Sequence, residues 1–205
     1  MSRALLSVLA LSLLAGPALA RGKPKAEPAA PPSLQASLVE TYGVWNVYVA
    51  GEGKARICYA ITKPRERFLK SLKDTDAFLF VTVRKGERAS NEIALMMGFP
   101  LKPGAGQAGA PGGTETAAAN GAVPAPASAA NDPSFAIDRT RYGLVVKGAN
   151  AWLQNPADEG KAVAEMSRGK KVVVKALSQR GNASTDEYSL DGFGDAMKRT
   201  REECK

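Results

Sequence analysis

The chain is predicted to be mainly β: an antiparallel β-sandwich, or a partly open barrel, with one mid-chain helix and a C-terminal helix. Three observations carry that expectation. Short segments rich in Val, Ile, Tyr and Phe recur between glycine-containing turns, several of them with a period of two. Only two segments, 155–168 and 191–204, place apolar residues at helical spacing. A length of 205 residues suits a single domain accompanied by low-complexity segments.

At the start of the chain, Arg3 precedes an apolar run over residues 4–15, and Ala18-Leu19-Ala20 fits the small-x-small cleavage rule. Residues 1–20 therefore read as a secretory signal peptide cleaved after Ala20. A membrane anchor needs about 18 or more apolar residues, and Gly16-Pro17 interrupts this run. No other stretch has the length and apolarity to span a bilayer, so no integral membrane segment is expected. Residues 21–37 form a Pro/Ala-rich tether. A single β-rich domain is expected over 38–205, interrupted by a disordered insertion at 103–132.

Within the domain, Val39, Thr41, Gly43, Trp45, Val47 and Val49 share one parity, which argues a half-buried strand over 39–49 with Trp45 inward and Gly43 as a break point. Gly51 and Gly53 turn it into a second strand over 55–62, which carries Cys58. Residues 63–70 form a basic loop. The strands 77–84 and 92–99 are almost continuously apolar, the pattern of strands covered on both faces, with a turn at 85–88 between them. The segment 103–132 is dominated by Gly, Ala and Pro and cannot bury a core. Its Gly104-x-Gly106-x-x-Gly109 spacing matches a dinucleotide fingerprint, but no βαβ frame surrounds it, so the match is compositional.

Short strands follow at 134–137, 142–147 and 151–153. Asn155 as cap and Pro156 in the first turn start the mid-chain helix, which Gly169 ends. Strands 171–177 and 185–190 flank the turn Arg180-Gly181-Asn182. In the last helix Phe193, Met197, Thr200 and Cys204 form one stripe, with Asp191 as the expected N-cap. That stripe places Cys204 on the buried face.

Chemistry is sparse. The chain has no histidine, which excludes a Ser-His-Asp triad and His-based metal sites. No cofactor is expected, and the chain is read as non-enzymatic. Cys58 and Cys204 are the only two cysteines, and in an exported protein they read as a structural disulfide rather than a free catalytic thiol. The net charge of +8 suits either solubility or attraction to an anionic surface. Lys63, Arg65, Arg67 and Lys70 are the candidate contacts to such a surface, with an ordinary solvated loop as the alternative. Nucleic acid is not an expected partner, since no aromatic–basic motif is present.

The residues Gly43-Val44-Trp45, the Cys58 strand, the run Ser178-x-Arg180-Gly181-x-x-x-Thr185-Asp186-x-Tyr188-Ser189-Leu190-x-Gly192-Phe193 and the terminal cysteine resemble the invasion-associated locus B family, exported proteins of alphaproteobacteria. The resemblance covers about residues 38–102 and 134–205. It departs from the family pattern in the 103–132 insertion and in having two cysteines where many members carry more. It implies a mostly β fold, a periplasmic, outer-membrane-associated or secreted location, and a non-enzymatic role, linked in some members to host entry. It brings no catalytic residues. The expected function is a binding or structural factor whose partner is an envelope or host-surface component, an anionic one if the basic loop makes the contact. The alternatives are a periplasmic accessory or chaperone-like protein and an envelope enzyme.

Overall fold

The computed structural model describes residues 35–68, 75–84, 91–104 and 132–205. Among the described residues there are eleven strands: β1 (Ala36–Tyr42), β2 (Trp45–Ala50), β3 (Ile57–Thr62), β4 (Glu66–Arg67), β5 (Phe78–Arg84), β6 (Asn91–Met96), β7 (Ser134–Ile137), β8 (Thr140–Lys147), β9 (Asn150–Leu153), β10 (Lys171–Leu177) and β11 (Ala183–Ser189). Helix α1 (Glu159–Met166) lies between β9 and β10, and α2 (Phe193–Glu203) follows β11. The expected antiparallel β architecture with a mid-chain and a C-terminal helix is thus present.

All strands belong to one sheet in the order β1-β2-β3-β5-β6-β9-β8-β7-β10-β11-β4. The two layers are joined by β8, which changes partner along its length. Thr140–Gly143 pairs with β7, and Leu144–Lys147 pairs with β9. A strand that switches partners in this way makes a sheet corner. After β3, three residues lead to β4, which pairs with β11 and forms the last strand of the sheet.

Between the layers lies one continuous core. Trp45, Val47, Ala60, Leu79, Val81, Ile93 and Leu95 supply one wall; Phe135, Ile137, Val172, Val174 and Tyr188 supply the other. These positions alternate along each strand, as the pleat requires. Helix α2 closes the core with Phe193, Ala196, Met197 and Thr200. The Phe193 ring is centred 4.8 Å from Trp45, whose indole N–H donates to the Ser189 carbonyl at 3.1 Å. Helix α1 buries Ala162, Val163 and Met166, and its Glu165 accepts from the Tyr142 hydroxyl at 3.0 Å. Burial and that carboxylate push the Tyr142 hydroxyl up to about 12.

The structure corrects several expectations. Residues 39–49 are two strands, β1 and β2, which reverse at Gly43-Val44. The shared parity across the turn imitated one long strand. Strand β1 begins at Ala36, inside the expected tether. The strand expected at 92–99 ends at Met96. Asn155 does cap, accepting from the Ala157 amide at 3.1 Å, but the first turn is a 3-10 turn before α1 begins. The expected signal peptide, the 85–88 turn, Gly106, Gly109 and all but the ends of the 103–132 insertion lie outside the described residues.

The N-cap of α2 is Gly192, not Asp191. Its φ of 83° is in the left-handed region, and a Cβ there would collide with the Tyr42 carbonyl. Gly192 therefore lets the β1–β2 turn sit directly on the start of α2, where the Val44 amide donates to the Asp191 carbonyl at 3.3 Å. Gly192→Ala is expected to cost about 1–3 kcal/mol through backbone strain and lost contact. A urea midpoint unchanged from wild type would contradict this.

Candidate functional site

A recess lies on the outer face of the first layer, opposite the core. It follows from the same alternation that builds the core. Trp45, Val47, Cys58 and Ala60 point inward, so Asn46, Tyr48, Tyr59 and Ile61 must point outward. In β5, Leu79 and Val81 are buried, which turns Phe78 and Phe80 outward. Cross-strand register then gathers these side chains. Tyr48 stands opposite Tyr59, Asn46 opposite Ile61, and Ile61 opposite Phe80.

The rings form a contiguous group. Tyr48 and Tyr59 stack with centroids 5.6 Å apart, Tyr59 lies 6.0 Å from Phe80, and Phe80 lies 6.0 Å from Phe78. Such pairs contribute about 0.5–1.5 kcal/mol each beyond their area. A groove of about 550 Å³ opens over three of them, with Val44, Tyr48, Tyr59, Ile61 and Phe78 in its walls and Phe80 beside it. That volume is within the common range for small-molecule sites, about 300–1,000 Å³. Burial, then the neighbouring Tyr48, raises the Tyr59 hydroxyl above its ordinary value, so it stays protonated.

Lys63, Pro64 and Arg65 form one rim. The Lys63 ammonium lies 5.1 Å from the Phe78 ring centroid and 3.0 Å from Asp76 Oδ1. That ion pair is solvent-exposed on both sides, so its net contribution is small, about 0–1 kcal/mol, and an incoming anion can compete with it. Arg65 is exposed; its backbone N–H donates to the Glu187 carbonyl at 2.7 Å, and its guanidinium has no ion pair among the described residues.

Arg67 is a correction. It was expected to face an anionic surface, but its side chain is only 11% exposed. Nε donates to Asp186 Oδ1 at 3.0 Å, one terminal nitrogen to the Thr75 carbonyl at 2.7 Å, and the other to the Met97 carbonyl at 3.0 Å. Its work is internal: it ties the segment after β3 to β11 and to the end of β6. Asp186 is fully buried, and desolvation raises its carboxyl above the ordinary range although Arg67 pulls it down. Lys70 lies outside the described residues. The basic group therefore divides, with Lys63 and Arg65 at the groove and Arg67 inside the protein.

Cys58 and Cys204 are bonded, joining the inner face of β3 to the C-cap of α2. The bond lies behind the groove, on the core side of the sheet. Among the described residues, no three His, Cys, Asp or Glu side chains converge as metal ligands, and no helix is long and apolar enough to cross a membrane.

Sequence reading missed the aromatic wall. The apolar run Phe78–Val83 suggests cover on both faces, whereas Phe78 and Phe80 are half-buried on the face of β5 opposite Leu79 and Val81. The available signal was parity: Tyr48 is out of step with Trp45, and Tyr59 is out of step with Cys58. Comparisons with family models, with curated proteins and with solved structures found no match.

Proposed function

We propose that this chain is an exported, non-enzymatic binding protein of the bacterial envelope or host interface, in keeping with its resemblance to invasion-associated locus B proteins. It holds an anionic partner at the groove over β2, β3 and β5. The observation that carries this reading is the outward aromatic floor with Lys63 and Arg65 on its rim. A soluble domain has little reason to turn four neighbouring aromatic side chains away from its core unless something covers them. The disulfide suits an oxidising compartment, as export requires.

Purified protein is expected to bind outer-membrane preparations in a salt-sensitive way. Tyr59→Ser and Arg65→Gln should each weaken that binding, while Lys175→Gln, at an exposed position of β10, should leave it unchanged. Binding that ignores both salt and the groove substitutions would sink the proposal.

A further inference from the structure

We infer that the ligand of the groove is a single-chain anionic amphiphile: one hydrocarbon tail with a negatively charged head. This rests on the proposed binding function and names the chemistry of its ligand.

Three observations point this way. The first is an apolar stripe that begins at the groove and continues across the outer face. Ile61 stands opposite Phe80, Phe80 opposite Ala94, and Ala94 opposite Trp152, on β3, β5, β6 and β9. All four are only partly buried, and nearby Met96 is 40% exposed. Three inter-strand steps span about 14 Å, a length that a medium hydrocarbon chain covers when extended.

The second is charge placed at one end. Lys63 and Arg65 lie just past Ile61, where the stripe starts. The anionic head of an amphiphile would meet Arg65, and would compete with Asp76 for Lys63, while the tail ran away from them.

The third is the state of the groove's polar side chains. Asn46 Oδ1 already accepts from Thr41 at 2.7 Å, and the Thr62 hydroxyl already donates to the Val44 carbonyl at 2.8 Å. A sugar needs several polar partners along its length and would find these two atoms engaged, with the Tyr48 and Tyr59 hydroxyls as the polar groups of the aromatic floor. A hydrocarbon tail needs none. The aromatic side chains are half-buried in a concavity rather than protruding, which favours an individual chain lying in the groove over insertion of this face into a bilayer.

The test is titration of dodecanoate, below its micelle concentration, into the disulfide-bonded protein, followed by backbone amide NMR and intrinsic fluorescence. Saturable one-to-one binding is expected, with shifts centred on residues 59–65 and 78–80. Lys63→Gln/Arg65→Gln, both at exposed positions, should weaken it about ten-fold or more, and dodecyltrimethylammonium should bind the wild type about ten-fold more weakly than dodecanoate. Phe80→Asn should weaken both amphiphiles alike, with the spectrum of the core unchanged.

No saturable binding of dodecanoate, or equal binding of the ammonium amphiphile, overturns the inference. So does a glutamate-rich peptide that occupies the groove when dodecanoate does not. If outer-membrane binding still depends on Tyr59 and Arg65 in any of these cases, the binding function stands and only the ligand class falls. If that dependence is lost as well, both fall.

Discussion

Cys204→Ser is expected to lower the stability of the folded domain by about 2–5 kcal/mol. The bond joins residues 146 positions apart, and the chain-entropy treatment assigns a loop of that length about 5 kcal/mol. The measured loss should be smaller where the unfolded chain keeps residual structure. Helix α2 would still be held by Phe193 against Trp45 and by buried Met197, so the fold should survive at low denaturant. Its amides, and those of the facing parts of β2 and β3, should lose hydrogen-exchange protection first. Equilibrium urea unfolding of wild type and variant, with the oxidised state of the wild type checked by mass, gives the magnitude. The groove should be unaffected, because Tyr59 and Ile61 lie on the opposite face of β3 from Cys58. A midpoint equal to that of wild type would show that the bond adds nothing to stability.

The parts of this molecule that were legible in the sequence are those set by local pattern. Asn155-Pro156 announced the mid-chain helix, and the 171–177 strand and its partner flank a glycine turn as expected. The stripe ending at Cys204 placed that residue on the buried face, where it meets Cys58. What was not legible depends on partners far away in the chain. Nothing in Thr140–Lys147 says that its two halves serve different neighbours. Within the basic loop, Lys63, Arg65 and Arg67 look alike by composition. They are separated by Asp186, 119 positions from Arg67, which draws one of the three into the interior. The aromatic face was obscured for a related reason. An apolar residue pointing outward on a strand has the same composition as one pointing inward, and only the register of β2, β3 and β5 decides which rings face solvent.

The same buried ion pair gives the second large expectation. Arg67→Met should cost about 3–5 kcal/mol, because it leaves the fully buried Asp186 carboxylate without its countercharge. Asp186→Asn should cost less. The guanidinium would keep its bonds to the Thr75 and Met97 carbonyls, and a carboxylate that burial already makes unfavourable would be gone. The double variant Arg67→Met/Asp186→Leu should recover part of the loss of the single Arg67→Met, since no charge is then left buried. The effect of pH has a definite sign. Desolvation holds the folded-state Asp186 carboxyl above its unfolded value of 3.8 even with Arg67 present. In Arg67→Met the downward pull of the guanidinium is removed, so the folded value rises further. A group raised in the folded state takes up its proton there first as pH falls, and protonation then favours folding. The deficit of Arg67→Met relative to wild type should therefore be largest at neutral pH. It should shrink as pH falls through the folded-state value toward the ordinary aspartate range. Paired urea titrations across that window test both halves of the argument. An Asp186→Asn loss equal to or larger than that of Arg67→Met would mean that the pair stabilises the fold as a pair rather than by neutralising a buried carboxylate. A deficit that grows on acidification would place the critical charge on a group other than Asp186.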